Sequence, residues 1–190
     1  FPDRREFIIS SADEAIEKME DELKKSVKSE LVSDVPIGSF LSGGIDSPLI
    51  CFEAQEILQG KLETFSIGSD SQIHDESKDA QEFADMIKSN HNSEKMVSKN
   101  AVMMLNDAMD SLSEPFADYS LIPTFQVSKN AKKKVTVALS GDGGDELFFG
   151  YERFWSILKN RFIQKFPYPV KYFLYGTDKI LTGNRWLNSG

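Results

Sequence analysis

Ser42-Gly43-Gly44-Ile45-Asp46-Ser47 is the stretch that decides the fold of this chain of 190 residues. It stands between an apolar run at residues 35–41, which predicts a buried strand, and a helical pattern at residues 48–59. The two glycines let the backbone turn sharply and direct several N–H groups at one anion, and the following helix adds the positive end of its dipole. Asp46 suits an anion site only if a cation lies between, so it is predicted to be a magnesium ligand.

A simpler interpretation of residues 42–47 is a tight turn, with Ser47 as the helix cap and Pro48 at the first helical position. The stretch differs from a Walker loop, because no Gly-Lys-Ser/Thr follows. Five fixed residue types at this spacing arise by chance in roughly a few of every ten thousand chains of this length. The pattern therefore favours a phosphate-binding loop to which the Ser42 and Ser47 hydroxyls add donors.

A second glycine-rich loop, Ser140-Gly141-Asp142-Gly143-Gly144-Asp145-Glu146, also stands between a predicted strand and a predicted helix. One alternative is a flexible loop whose acids favour a helix N-terminus. Three glycines and three carboxylates within seven residues favour instead a backbone that lies close to a ligand. One of the carboxylates would then share magnesium with Asp46. Two such loops on one sheet are expected to hold a nucleoside triphosphate and its metal between them.

Short apolar runs alternate with helical stretches through most of the chain, which predicts the fold class. Strands separated by helices of this length pair in parallel, so we expect an α/β fold, a doubly wound parallel sheet flanked by helices. Ligands of such sheets bind beyond the carboxyl ends of the strands, where the strand order reverses. Strands are predicted at residues 35–41, 62–67, 95–98 and 135–139. Helices are predicted at residues 48–59, 77–89 and 119–132, and two more are predicted to begin at the capping box of Ser11 and Glu14 and at Asn100 as a cap.

The composition narrows the class of protein. The chain is 40% hydrophobic and 27% charged, as in ordinary globular domains, and its apolar runs are too short to span a membrane. Its net charge of -8, from 22 basic and 30 acidic residues, disfavours binding to nucleic acid. Small molecules are the expected partners.

The cysteine and the histidines carry no chemistry in this interpretation. Cys51 stands alone and is expected to be a packed core residue, in a chain that belongs to the reducing cytoplasm. His74 and His91 have no Cys or His partners at metal-binding spacing and are expected at the surface.

The last part of the chain, residues 154–190, is rich in aromatic residues, and its charges are mostly basic. Two interpretations stay open: helices that pack by aromatic faces, or an exposed docking surface for chain that is missing here. We predict one domain at residues 1–153, with residues 154–190 as the start of a helical C-terminal part of the same domain.

The loop at residues 42–47 resembles the pyrophosphate loop of the N-type ATP pyrophosphatases, which have the adenine nucleotide alpha hydrolase-like fold. Four further stretches follow in order, and the five together resemble the synthetase domain of bacterial-type glutamine-hydrolysing asparagine synthetases. The resemblance runs from about Arg5 to Phe154. The four stretches are Thr64-Phe65-Ser66-Ile67-Gly68, His74-Asp75-Glu76-Ser77, Glu114-Pro115-Phe116-Ala117-Asp118 and Val137-Ala138-Leu139-Ser140-Gly141-Asp142-Gly143-Gly144-Asp145-Glu146-Leu147-Phe148.

The resemblance implies a ligase that uses ATP and Mg²⁺. ATP would convert the side-chain carboxylate of aspartate into an acyl-adenylate with release of pyrophosphate, and ammonia derived from glutamine would displace AMP to give asparagine. Matched by motif, the residues expected at pyrophosphate are Ser42, Gly43, Gly44, Asp46 and Ser47, and those expected at the rest of the nucleotide are Leu41, Ile67, Ser140 and Gly141.

The resemblance also assigns the metal and the catalytic residues. Asp46 and Asp145 would hold magnesium, and Asp46 and Asp142 are the expected catalytic residues. Asp142 stands where many relatives have Glu, at a position implicated in the ammonia step and in binding the intermediate.

Two residues depart from the family pattern. Pro48 replaces a second Ser, which removes one hydroxyl and one N–H donor, and Phe149 stands where the family usually has Gly and is expected to crowd the acceptor site. Family members also carry a glutaminase domain with an N-terminal Cys and a later Lys for the adenylation step. The chain is therefore expected to be a fragment, inactive alone, that works with a glutaminase domain; a homodimer is one expected assembly.

Two alternatives remain beside asparagine synthesis. The first is another adenylating amide-forming enzyme of the same fold, of the β-lactam synthetase or peptide cyclase type. The second is a nucleotide-binding module that has lost catalysis.

Overall fold

A computed structural model describes residues 9–60, 62–70, 75–114, 118–159 and 167 of the chain. The helices are α1 (Ala12–Glu30), α2 (Asp46–Ile57), α3 (Ser77–Ile87), α4 (Ser98–Asp110), α5 (Leu121–Ala131), α6 (Gly144–Phe148) and α7 (Glu152–Lys159). The strands are β1 (Ile37–Phe40), β2 (Glu63–Ser69), β3 (Asn90–Met96) and β4 (Val137–Leu139).

The described strands form one parallel sheet in the order β3-β2-β1-β4. The chain adds β2 and then β3 outward from β1, and afterwards crosses back to place β4 on the other side of β1. Gly38 of β1 accordingly lies opposite Glu63 on one side and Ala138 on the other. The strand order reverses between β1 and β4, which is where a ligand of such a sheet binds.

Helices cover both faces of this sheet. On one face, α1, α2 and α3 enclose a core that includes Leu41, Cys51 and Leu62. On the other face, Phe65 of β2 packs against Ala131 at the end of α5 and against Val135. Because side chains alternate along a strand, the neighbours of Phe65 on β2 point to the first face. The expected doubly wound α/β class is therefore confirmed.

Helix α1 begins at the predicted capping box. The Ser11 side-chain oxygen accepts a hydrogen bond from the Glu14 N–H at 3.1 Å, as expected of an N-cap. The Glu14 carboxylate reaches back one residue further than a standard box and accepts the N–H of Ser10 at 2.9 Å. Near the other end of α1, Val27 is buried in the first core, so this helix is joined to the sheet layer by its C-terminal half.

The edge strand β3 differs from the prediction. It begins at Asn90 rather than at residue 95, and Asn100 lies inside α4 instead of capping it, since the N-cap is Val97.

The expectation that His91 is a surface residue is also wrong. This side chain is half-buried on β3, with Nδ1 3.0 Å from Thr64 Oγ1 and Nε2 3.0 Å from Ser66 Oγ on β2. Hydrogen bonds between side chains of β2 and β3 stabilise this strand pair, and β3 lacks the run of apolar residues from which a strand is predicted. His74 lies outside the described residues.

The chain divides into two compact units, Phe1–Asp142 and Gly143–Gly190. The first contains the sheet, and the second contains α6 and α7. The predicted boundary after residue 153 stays a prediction, and most of the aromatic segment at residues 154–190 lies outside the described residues. Among the helices of the described ranges, none combines the length and the apolarity that crossing a membrane requires.

Candidate functional site

The loop at residues 42–47 leaves the carboxyl end of β1 and enters α2. The helix begins at Asp46, two residues earlier than predicted, and its N-cap is Ile45, which makes no side-chain capping bond. Ser47 therefore lies inside the first turn, and the alternative that it caps the helix is wrong. Pro48 is the third helical residue, where its missing N–H removes no intrahelical bond because the N–H groups of a first turn have no partner within the helix.

Two serines hold this loop in shape. The Ser42 N–H donates to the Ser47 hydroxyl at 2.8 Å, and the two hydroxyl oxygens lie 2.9 Å apart. The Gly44 N–H in turn donates to the Ser42 hydroxyl at 3.2 Å. The end of β1 is thus tied to the first turn of α2 by side chains, which fixes the direction in which the loop's N–H groups point.

The start of α2 presents free donors. The N–H groups of Ile45, Asp46 and Ser47 have no acceptor among the residues that the structure describes. Consecutive unpaired N–H groups at the positive end of a helix are an anion-binding arrangement. Ile45 is 83% exposed, whereas Asp46 and Ser47 are half-buried.

Gly43 connects the loop to α3. Its N–H donates to Glu76 Oε2 at 3.0 Å, and a Cβ at position 43 would lie 3.0 Å from Asp79 Cβ and 3.2 Å from Glu76 Cβ. A side chain at position 43 would therefore be in tight contact with the first turn of α3. Glu76 belongs to one of the motifs named above, but its spacing from the loop gives no sign that α3 reaches the loop after β1.

The second loop lies against the first. A Cβ at Gly141 would be 2.6 Å from the Ser47 backbone nitrogen and 2.9 Å from Asp46 Cβ, so the backbone of residue 141 passes directly over the first turn of α2. Beside it, the Ser140 hydroxyl donates to Asp142 Oδ2 at 3.1 Å, and the Asp142 side chain is exposed. The structure thus brings together Asp46, Ser47, Ser140, Gly141 and Asp142, which the sequence placed in separate loops.

The two residues expected at the wall of the nucleotide site lie at the same end of the sheet. Leu41 directly follows β1, donates its N–H to the Phe65 carbonyl at 2.8 Å, and is only 3% exposed. Its side chain belongs to the core, so its backbone is the part that can face a ligand. Ile67 is half-buried near the carboxyl end of β2.

Residues of the second unit carry the rest of the motif. Asp145 and Glu146 lie in the first turn of the short helix α6, and a hydrogen bond from the Tyr151 hydroxyl lowers the pKa of Glu146. Phe149 has a φ of 60°, in the left-handed region that favours glycine. The expectation that Phe149 crowds an acceptor site stays a prediction.

Asp46 is the carboxylate of the loop at residues 42–47 that could hold magnesium. Within the described ranges, no three His, Cys, Asp or Glu side chains cluster as a metal cage would require. Magnesium seldom needs one, since it is usually held by one or two carboxylates together with phosphate oxygens and water. Asp46, half-buried beside the unpaired N–H groups of α2, fits that pattern, and its sharing of the metal with Asp145 of the second unit stays a prediction.

Cys51 is a core residue, as predicted. It is fully buried on α2, and its thiol lies 3.2 Å from the Ser39 hydroxyl on β1. Burial raises the pKa of this thiol to about 11. A buried, protonated thiol is a poor nucleophile.

The family model and the curated relatives agree on one family. A family model described as asparagine synthase matches residues 18–187. The chain is 40% identical over 146 residues to the putative asparagine synthetase [glutamine-hydrolyzing] 2 of Methanocaldococcus jannaschii, covering 76% of this chain and 28% of that protein. It is 39% identical over 163 residues to asparagine synthetase [glutamine-hydrolyzing] 1 of Bacillus subtilis, covering 85% of this chain and 26% of that protein.

The chain thus spans about a quarter of the length of these relatives. It is also similar to the solved structure of NMN synthetase from Francisella tularensis, with 19% identity, a TM-score of 0.47, and coverage of 75% of this chain and 59% of that one.

Proposed function

The chain belongs to the asparagine synthase family, and on that premise we propose that it is the ATP-binding, amide-forming part of a glutamine-hydrolysing asparagine synthetase. In the proposed reaction, an oxygen of the aspartate side-chain carboxylate attacks the α-phosphorus of ATP. Pyrophosphate leaves, and an acyl-adenylate forms. Ammonia then attacks the acyl carbon, AMP leaves, and a proton is released as asparagine forms.

The observation that carries this proposal is the position of Gly141 over the first turn of α2. The two glycine-rich loops follow β1 and β4, the strands between which the order reverses, and a Cβ at Gly141 would be 2.6 Å from Ser47 N. A nucleotide bound at this edge would contact both loops at once. That contact is what in-line attack at the α-phosphorus needs, because the acyl group and the leaving pyrophosphate must lie on opposite sides of it.

Each loop has a proposed task in this arrangement. The N–H groups of Ile45, Asp46 and Ser47 and the paired hydroxyls of Ser42 and Ser47 would hold the pyrophosphate and stabilise its charge as it leaves. Leu41, by its backbone, and Ile67, by its side chain, would line the adenosine together with Ser140 and Gly141. Asp142 would lie beside the reacting carbonyl and take part in the ammonia step.

Magnesium is the proposed partner of ATP, and Asp46 is one proposed ligand. Asp145 is proposed as the second ligand because of the motif alone. When bound, it neutralises charge on the phosphate oxygens. The ammonia would come from a glutaminase domain of the whole protein. Location in the cytoplasm and association of two copies remain proposals that rest on the family.

Nucleotide binding by the 190-residue chain tests the proposal. Calorimetric titration with ATP and with AMP, each with and without magnesium, is expected to show weak binding of ATP that magnesium strengthens. Asp46→Asn should remove most of this magnesium dependence. Where few protein ligands hold a metal, losing one of them costs several kcal/mol of binding free energy. Asp110→Asn, which removes an exposed carboxylate at the end of α4, is the matched control and should leave binding unchanged.

Two results would contradict the proposal. Absence of binding at millimolar ATP, with the chain folded by circular dichroism, would exclude a nucleotide site. Equal magnesium dependence in Asp46→Asn and the parent chain would remove Asp46 from the metal. The acceptor is tested separately, by pyrophosphate exchange in the whole protein with aspartate and with other carboxylic acids; exchange with another acid alone would favour a different amide-forming enzyme of this fold.

A further inference from the structure

The carboxylate of Glu76 occupies a donor of the loop at residues 42–47. Glu76 Oε2 accepts the Gly43 N–H at 3.0 Å, although Glu76 lies 33 residues further along the chain. Glu76 is the N-cap residue of α3 and makes no capping bond with its side chain. Its carboxylate is thus directed at the neighbouring loop rather than at its own helix.

The fold places Glu76 there through the residue before it. Asp75 Oδ1 accepts the N–H of Ser69 at 3.1 Å and the N–H of Ser77 at 3.2 Å, which ties the end of β2 to the start of α3. Hydrogen bonds from Ser77 and Ser69 lower the pKa of Asp75, so this tie is made by an ionised carboxylate. These hydrogen bonds hold the start of α3 at the end of β2, beside Gly43.

Two features of this contact conflict with a bound pyrophosphate. An N–H group makes one strong hydrogen bond, so Gly43 cannot serve Glu76 and a phosphate oxygen fully at the same time. The carboxylates of Glu76 and Asp79 also both lie beside Gly43, and like charges this close repel a polyanion. The cation on the same turn, Lys78, faces Glu82 at 3.7 Å and does not offset them at the loop.

We propose that Glu76 is an internal anion that holds the Gly43 N–H and is displaced from it when pyrophosphate binds. The inference rests on the proposed function, since it concerns the same loop. Because the Glu76 carboxylate competes for the Gly43 N–H, free pyrophosphate binds weakly, and its release as a product is favoured. Glu76 is thus a residue that sets affinity, acting through Gly43.

The test is titration of the 190-residue chain with inorganic pyrophosphate, followed by calorimetry and by the amide NMR signal of Gly43. Glu76→Gln removes the charge and the strong acceptor, and is expected to tighten binding about tenfold. Asp79→Asn removes the same charge beside Gly43 without touching this hydrogen bond, and should tighten binding by only about threefold. Glu20→Gln, which removes an exposed carboxylate on α1, controls for net charge and should bind like the parent chain.

Unchanged or weaker pyrophosphate binding in Glu76→Gln would overturn the inference, because Glu76 would then stabilise the loop rather than compete for the Gly43 N–H. Equal tightening in Glu76→Gln and Asp79→Asn would overturn it too, since charge alone would account for the effect. A parent chain that binds only weakly or not at all, with clear binding in Glu76→Gln and a shift of the Gly43 amide, supports it. If no variant binds pyrophosphate, the proposed phosphate site itself is wrong, and that result is distinct from the others.

Discussion

The Ser42 N–H donates to the Ser47 hydroxyl across 2.8 Å and joins the carboxyl end of β1 to the first turn of α2. The Ser42 hydroxyl lies 2.9 Å from the same oxygen and accepts the Gly44 N–H. The Ser47 hydroxyl thus contacts both the N–H and the hydroxyl of Ser42, and these contacts join the two ends of the loop.

Ser47→Ala should weaken both the loop and its ligand binding. Losing the hydroxyl leaves the Ser42 N–H without its partner, which is expected to lower the free energy of unfolding by about 1 kcal/mol. Calorimetry should show weaker ATP binding, by roughly tenfold. Ser29→Ala removes a hydroxyl that bonds a carbonyl on the outer surface of α1 and should leave ATP binding unchanged. Equal ATP affinity in Ser47→Ala and the parent chain would contradict the role given to this hydroxyl.

Gly141→Ala should separate the two loops. The added Cβ would meet the Ser47 backbone nitrogen at 2.6 Å, and because backbone cannot rotate away, the loops must move apart. We expect a loss of about 1–3 kcal/mol in stability on chemical denaturation and loss of ATP binding. Gly44→Ala is the matched comparison for stability, since its Cβ would meet only the Ser42 hydroxyl at 3.4 Å. A Gly141→Ala chain as stable as Gly44→Ala would show that the loops are not in contact.

The Cys51 thiol should resist alkylation in the folded chain. Its raised pKa of about 11, against an ordinary value of 9.0, lowers the thiolate fraction at pH 8 roughly a hundredfold. Labelling followed by mass spectrometry should be slow in buffer and fast in denaturant. Rapid labelling of the native protein would mean that α2 opens easily from the sheet.

Acidification should weaken the sheet through His91. Burial lowers the pKa of this imidazole below its ordinary value of 6.5, so the folded state favours the neutral form while the unfolded state takes up a proton first. The free energy of unfolding should therefore be greatest above pH 7 and fall as the pH drops through 6.5. Denaturation curves between pH 7.5 and about 5.5 measure this, above the range where carboxylates titrate. His91→Gln should flatten the dependence; an equally steep profile in that variant would assign it to another group.

Much of the fold follows from local patterns. The glycine-rich loops stand directly after apolar runs, and each run contains one of two neighbouring strands, β1 or β4. The capping box at Ser11 depends only on residues within four positions, and it is present. The side of the sheet at which the loops meet follows from the direction of parallel strands.

Other features depend on residues distant in the sequence. β3 has the polar sequence Asn90-His91-Asn92-Ser93-Glu94, and it is a strand because Thr64, Ser66 and Glu63 of β2 supply partners for its side chains. Glu76 reaches Gly43 only because α3 packs beside α2. Neither segment has a periodicity that indicates such a pairing, so the strand was predicted only at residues 95–98 and no role was predicted for Glu76.

The pairing of β1 with β4 also sets the order of events in folding. Ser39 lies opposite Leu139 and donates its hydroxyl to that residue's carbonyl, 100 positions later in the chain. Ribosomes add about 5–20 residues per second, so roughly 5–20 s pass between synthesis of the two residues. Throughout that interval one side of β1 has unpaired backbone groups, open to pairing with another nascent chain. We therefore expect the yield of folded protein to depend on translation speed and on chaperones while residues 40–139 are synthesised.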